Sequence, residues 1–170
     1  MDPVSLPEAA LPGDDGSGPM PAGTVHAGCV ALGEAGVLIR GASGAGKSTL
    51  ARELVRQAGQ AGLFASLVSD DRTRIEAVNG RLVARPVTAI AGYAEIRGVG
   101  IVRGGFEPAV VVRLVIDLSD DQPLRHPKAA DSRVALCGVL LRRIRARTGA
   151  PLLDLALGSL SGDYDAVVTL

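Results

Sequence analysis

Residues 41–48 read GASGAGKS and follow the apolar run VLIR at 37–40. This stretch constrains the fold more than any other. Gly41, Gly46, Lys47 and Ser48 fit the pattern G-x-x-x-x-G-K-[ST] at every defined position. Glycines at such positions accept positive φ and let backbone N–H groups converge on an anion. A helix starting at the lysine adds the partial positive charge of its N-terminus. The context agrees. A short apolar strand precedes the loop, and STLARELVRQAG (48–59) comes after it with Leu50, Leu54 and Val55 at helical spacing and Gly59 as a stop. A glycine-rich turn with an exposed lysine is the plain alternative. The strand–loop–helix order favours a phosphate loop in an α/β domain, with Lys47 on nucleotide phosphates and the Ser48 hydroxyl on Mg²⁺.

Composition narrows the rest. A chain of 170 residues is long enough for one domain with a real core. Aromatics are only 2%, too few for a surface that stacks bases, and 18 basic residues balance 18 acidic ones, so no net field draws nucleic acid or anionic lipid. Cys29 and Cys137 are isolated and fit no metal-ligand spacing, which suits a reduced, cytoplasmic chain. No apolar run is long enough to span a membrane. Residues 1–22, acidic and rich in Pro and Gly, read as a disordered leader, with one domain over 23–170.

Along that domain, TVHAGCVAL (24–32), VLIR (37–40) and FASLVS (64–69) read as strands. In 73–85, Asn79-Gly80 between two β-rich arms predicts a hairpin with a type I′ turn. AVVVRLVIDL (109–118) is a continuous apolar run and so a central strand, residues 120–128 form a polar loop, and 151–160 are helical. Residues 135–147 read as a strand, or as a strand leading into a loop.

Two further motifs carry chemistry. Asp70 and Asp71 end an apolar strand 22 positions after Ser48. A carboxylate at the C-terminal end of a neighbouring strand is where a Mg²⁺ ligand belongs in such a sheet. A second one beside it can take a proton from an attacking hydroxyl. A solvated turn is the bland alternative. Downstream, Glu95 and Arg97 flank Ile96 and in a strand share a face, which suits metal and phosphate respectively; a surface ion pair is the simpler reading of those two residues alone.

The motifs taken together, in this order, resemble the C-terminal catalytic domain of the HPr kinase/phosphorylase family. That family has a strand with a VH pair, then GVLI.G.SG.GKS, an apolar strand ending in DD, and EIRG.GI. This chain has TVHAGCVALGEAGVLIRGASGAGKSTLARELV, LVSDD and EIRGVGIV. The resemblance implies an HPr kinase/PEP carboxykinase-like P-loop fold, a mixed β-sheet with flanking helices. It implies ATP and Mg²⁺ as cofactors, and transfer of phosphate to a serine of an HPr-like phosphocarrier, with phosphorolysis in reverse. Gly41, Ala42, Ser43, Gly44, Ala45, Gly46, Lys47, Ser48 and Thr49 would cradle the nucleotide phosphates, with Arg97 as a further phosphate contact. Asp70 would be the general base and Asp71 its support, Ser48, Asp71 and Glu95 would face the metal, and His26 would sit beside the catalytic Asp and favour its ionised form. A homo-oligomer, hexameric in the family, is a further implication.

There are departures from the family pattern. The segment between Ser48 and Asp70 is longer, and QAGQAG (57–62) reads as the extension. Only a short leader stands before the first strand in this sequence, so the family's N-terminal domain is expected to be absent, as in the short single-domain forms. The family's arginine-bearing loop P-V-R-P-G-R-N is replaced by LRRIRARTGAP, where Arg143, Arg145 and Arg147 are the candidates and Arg147 is the nearest match. A small-molecule P-loop kinase, a kinase of the same fold with another substrate, and a non-catalytic nucleotide-binding module are the rival readings.

Overall fold

The computed structural model describes residues 22–96, 98–119, 121, 128–147 and 149–162. The leader expected over 1–22 lies, except for Ala22, outside them, as does the loop expected at 120–128 except for Asp121 and Lys128.

The chain runs β1 (Gly23–His26), β2 (Gly28–Leu32), β3 (Ala35–Gly41), α1 (Lys47–Gln60), β4 (Ala65–Ser69), β5 (Arg72–Val78), β6 (Arg81–Pro86), β7 (Tyr93–Ile96), β8 (Gly100–Arg103), β9 (Val110–Leu118), β10 (Arg133–Leu136), β11 (Val139–Ala146) and α2 (Leu152–Ser161). Among the described residues, nine strands form one mixed sheet with the path β1-β5-β6-β9-β3-β2-β4. β11 also pairs with β9, and β10 pairs with β11. β7 and β8 form a separate hairpin.

β9 is the axis of the sheet, as its largely apolar run favours. β3 lies parallel along one edge of β9. The other edge is shared: β6 pairs antiparallel over Val110–Val112, and β11 parallel over Leu114–Leu118. α1 buries Leu50, Ala51, Leu54 and Ala58, one stripe at helical spacing, against the sheet. With α2 it closes a core containing Val30, Val37, Ile39, Leu114 and Ile116. The opposite face of the sheet is also dry. There the sheet curls so that β5 and β6 approach β2 and β4, enclosing Cys29, Leu38, Val68, Ile75, Leu82 and Val115.

Two segments differ from the sequence expectation. The run 24–32 is two strands, interrupted at Ala27. β1 pairs with β5, whereas β2 pairs with β3 and β4. The break lets one segment serve two parts of the curled sheet, a long-range need that alternation along the segment does not encode. Residues 135–147 hold a hairpin, β10–β11, turning through Cys137 and Gly138 at φ 49° and 77°. Cysteine is not a residue that announces a positive-φ turn. The Asn79-Gly80 hairpin forms as expected, with both central residues at positive φ (50° and 73°).

Candidate active site

β3, β9 and β11 are parallel, so their C-terminal ends lie along one edge. The register sets Gly41 and Ala146 on either side of Leu118, and the Ser119 N–H donates to the Ala146 carbonyl at 3.1 Å. β4 is antiparallel to β2, as β3 is, so it ends at the same edge, two strands from β3. The phosphate loop, the acidic pair and the residues after β11 therefore leave the sheet on one side, where open α/β sheets bind ligands.

The loop has the backbone its glycines allow. Gly44 and Gly46 have φ of 81° and 92°, and Gly46 caps α1. At Gly41 (φ 151°) a Cβ would stand 2.8 Å from the Leu118 carbonyl oxygen, so no side chain fits. Lys47 is 5% exposed, and its Nζ donates to the carbonyls of Gly41 and Ala42 at 2.9 and 3.0 Å. Burial lowers its pKa, opposed by the charges of Asp71 and Asp70. This ammonium thus lies within the field of both carboxylates and already inside the loop. Ser48, in the first turn of α1, is half-buried.

Asp70 and Asp71 alone connect β4 to β5. The turn is pinned beneath by hydroxyls. Thr73 Oγ1 donates to the Ala27 carbonyl at 2.6 Å, and the Ser69 hydroxyl bonds to Thr73 Oγ1. Gly28 lets β2 pass close by, since a Cβ there would lie 3.0 Å from the Asp70 carbonyl oxygen. The two carboxylates then diverge. Asp70 is 8% exposed; its Oδ2 accepts the Glu95 N–H at 3.2 Å, while its Oδ1 is buried and has no hydrogen-bond partner among the described residues. The Asp71 side chain is 62% exposed, and its Oδ1 accepts from His26 Nε2 at 2.7 Å. His26 thus pairs with the second aspartate, whereas the sequence reading set it beside the catalytic Asp and favoured Asp70 for that role. The reason is that β1 lies against β5, which begins just after Asp71, with His26 in register with Arg72.

Glu95 reaches the acidic pair through its backbone. Its N–H bonds Asp70, its carbonyl accepts from Arg52 Nη1 of α1 at 2.9 Å, and its side chain is exposed. Arg97 lies outside the described residues. Of the three candidate arginines, Arg143 donates through Nε to Asp117 Oδ2 at 2.6 Å, Arg145 is exposed, and Arg147 is exposed one residue beyond β11. Two strand spacings, about 10 Å, separate Ala146 from Gly41.

Sequence reasoning did not single out Arg52 or Asp117. Nothing marks Arg52 out from the other charges of α1. Asp117 did carry a signal, as the one acid in an apolar central strand, since a buried carboxylate needs a partner.

A buried carboxylate oxygen with no donor among the described residues, a serine at the head of a phosphate-loop helix and an inward-turned lysine suit a divalent cation carried by phosphate oxygens. Magnesium takes few protein ligands in such sites. Among the described residues, no cluster of three or more His, Cys, Asp or Glu could hold a metal alone. No helix there is long and apolar enough to cross a membrane.

Fold and site together define a phosphate-loop α/β domain with an acidic pair opposite the loop. Comparison with known proteins narrows the class. The family model of the HPr Serine kinase C-terminal domain matches residues 20–106. HPr kinase/phosphorylase of Streptococcus thermophilus is 41% identical over 133 residues, covering 72% of this chain and 41% of that protein. That of Clostridium beijerinckii is 39% identical over 67 residues, covering 39% of this chain and 20% of the relative. The solved structure of the Hpr(Ser) kinase/phosphatase from Coxiella burnetii superposes with a TM-score of 0.66 at 25% identity, over 82% of this chain and 95% of that one. The chain belongs to the HPr serine kinase C-terminal domain family. It spans 20% to 41% of the length of these two curated relatives.

Proposed function

We propose that this domain transfers the γ-phosphoryl group of ATP to a serine hydroxyl of an HPr-like phosphocarrier protein in the cytoplasm, and runs the phosphorolysis in reverse. The observation that carries the reading is the acidic pair. One carboxylate is buried with an oxygen that has no hydrogen-bond partner among the described residues, the other is exposed and bonded to histidine, and both act on the lysine of a phosphate loop. Family membership and the relatives named HPr kinase/phosphorylase support the same substrate.

Phosphoryl transfer needs positioning and charge neutralisation more than covalent chemistry. The N–H groups of the phosphate loop and the N-terminus of α1 bind the phosphates. Lys47 exchanges the Gly41 and Ala42 carbonyls for phosphate oxygens. Ser48 and Asp70 would hold Mg²⁺, with Asp71 and Glu95 the remaining carboxylates around it; a bound Mg²⁺ supplies charge neutralisation on the transferring group. The burial of Asp70 and the exposure of Asp71 favour Asp71 as the base, in place of Asp70 as the sequence reading had it. Asp71 takes the serine proton, the serine oxygen bonds to the γ-phosphorus, and the bond to the bridging oxygen breaks to release ADP. His26 holds Asp71 in place for that transfer. Arg147, or Arg97, is proposed to steady the γ-phosphoryl oxygens.

The test is intact mass of an HPr-like protein from the same organism after incubation with the chain, ATP and Mg²⁺. The reading expects the gain of one phosphoryl group on serine, lost again when inorganic phosphate is added. Bound ATP with no gain would point to a small-molecule substrate or a nucleotide sensor.

A further inference from the structure

Asp117 sits near the C-terminal end of β9, its side chain 16% exposed, between two arginines from different strands. Arg40 of β3 meets it in a two-point fork, Nε to Oδ1 at 2.7 Å and Nη2 to Oδ2 at 2.8 Å. Arg143 of β11 donates Nε to the same Oδ2 at 2.6 Å. Arg40 and Arg145 are the register partners of Asp117 across its two neighbouring strands, and Arg143 reaches it diagonally. One carboxylate therefore joins all three parallel strands close to their C-terminal ends, one residue before the last in β3 and β9 and three before it in β11.

The segments leaving these strands lead directly into the site. Arg40 is bonded covalently to Gly41, whose carbonyl receives Lys47 Nζ. Beyond Arg143 the chain reaches Ala146, tied to Ser119, and then Arg147. We infer that Asp117 is a positioning residue for phosphoryl transfer, with two separable arms. Its fork to Arg40 sets the exit of the phosphate loop, and its bond to Arg143 sets the exit of β11 and hence the reach of Arg147. A fork fixes angle as well as distance, which a single lysine contact does not. The inference rests on the kinase reading for its second arm; the first needs only nucleotide binding.

The test uses Arg40→Lys, which keeps the charge beside Asp117 and loses the fork, and Arg143→Lys, which keeps the charge and loses the Nε–H bond, alongside Asp117→Asn. Each full-length variant is titrated with a fluorescent ATP analogue and Mg²⁺ and assayed for transfer to the HPr-like protein. Arg40→Lys is expected to weaken nucleotide binding about ten-fold, the effect of part of one charge-assisted hydrogen bond. Arg143→Lys is expected to leave that affinity within about two-fold and to slow transfer about ten-fold. Asp117→Asn combines both defects. Equal thermal destabilisation in all three with unchanged nucleotide affinity would overturn the inference, as would one common defect without the split. If the wild-type chain binds nucleotide and transfers nothing, the kinase reading and the Arg143 arm fall, and the affinities alone decide the Arg40 arm. A wild-type chain that binds no nucleotide overturns both.

Discussion

Lys47 illustrates a charged side chain held at some cost to the fold. The residue is largely buried, and desolvation lowers its pKa despite two nearby carboxylates. The folded state thus binds this proton less tightly than the unfolded chain does. Lys47→Ala should abolish nucleotide binding while leaving the thermal midpoint unchanged or higher; calorimetric titration and a melting curve read both, and retained affinity would remove the phosphate-loop role. Asp117 has the opposite balance. Burial pushes its carboxyl up, but the hydrogen bond and charge of Arg40, then the charge and hydrogen bond of Arg143, more than offset this and hold it below the ordinary value of 3.8. A depressed carboxylate contributes stability that is present above its unfolded pKa and is lost as pH falls through the lower folded value. Asp117→Asn should therefore cost about 2–3 kcal/mol near neutrality, and the gap from wild type should narrow below pH ~4. Urea unfolding at pH 7 and at pH 3 measures it, and a gap that does not change with pH contradicts the pairing. The third residue-scale case is His26. His26→Ala should change the shape of the pH–rate profile for transfer, because the donor to Asp71 is gone; an unaltered profile would leave His26 as a strand residue without a part in the chemistry. Much of this scale was legible. The loop residues and both aspartates stand in a pattern whose chemistry is local. The choice between the aspartates was not, since it depends on β1 lying beside β5.

Among the elements, α1 connects the site to the core. Its N-terminus opens from the phosphate loop, and Leu54 is buried between helix and sheet. Leu54→Ala should cost about 2–5 kcal/mol through lost burial and the cavity left behind, measured by denaturant unfolding, while nucleotide affinity of the folded fraction stays near wild type. A loss under about 1 kcal/mol would mean that the helix is not anchored as described. The elements easiest to read were those whose signals are contiguous: the strand–loop–helix unit, the Asn79-Gly80 hairpin, and the apolar run of β9. The break at Ala27 and the turn at Cys137-Gly138 were hidden because each answers to partners far away in sequence. Ala27 gives its carbonyl to Thr73, and the turn returns β11 to β9.

For the whole molecule, the curled mixed sheet and the separate β7–β8 hairpin bring four separately ordinary features together. The loop after β3, the acidic turn after β4, the backbone of β7 and the arginines of β11 come from segments spread over more than half the chain. Their meeting depends on strand order, with β2 inserted between β3 and β4 and β9 shared by β3, β6 and β11. No periodicity within a segment specifies that order, so the motifs were readable while their assembly came only through resemblance to a family. The decisive experiment is single-turnover transfer from ATP to the HPr-like protein by wild type and by Asp71→Asn, with nucleotide affinity measured on both. Wild type should deliver one phosphoryl group to serine, and Asp71→Asn should keep equal affinity with transfer abolished. Full transfer by Asp71→Asn, or none by a wild-type chain that binds ATP, would overturn this mechanism.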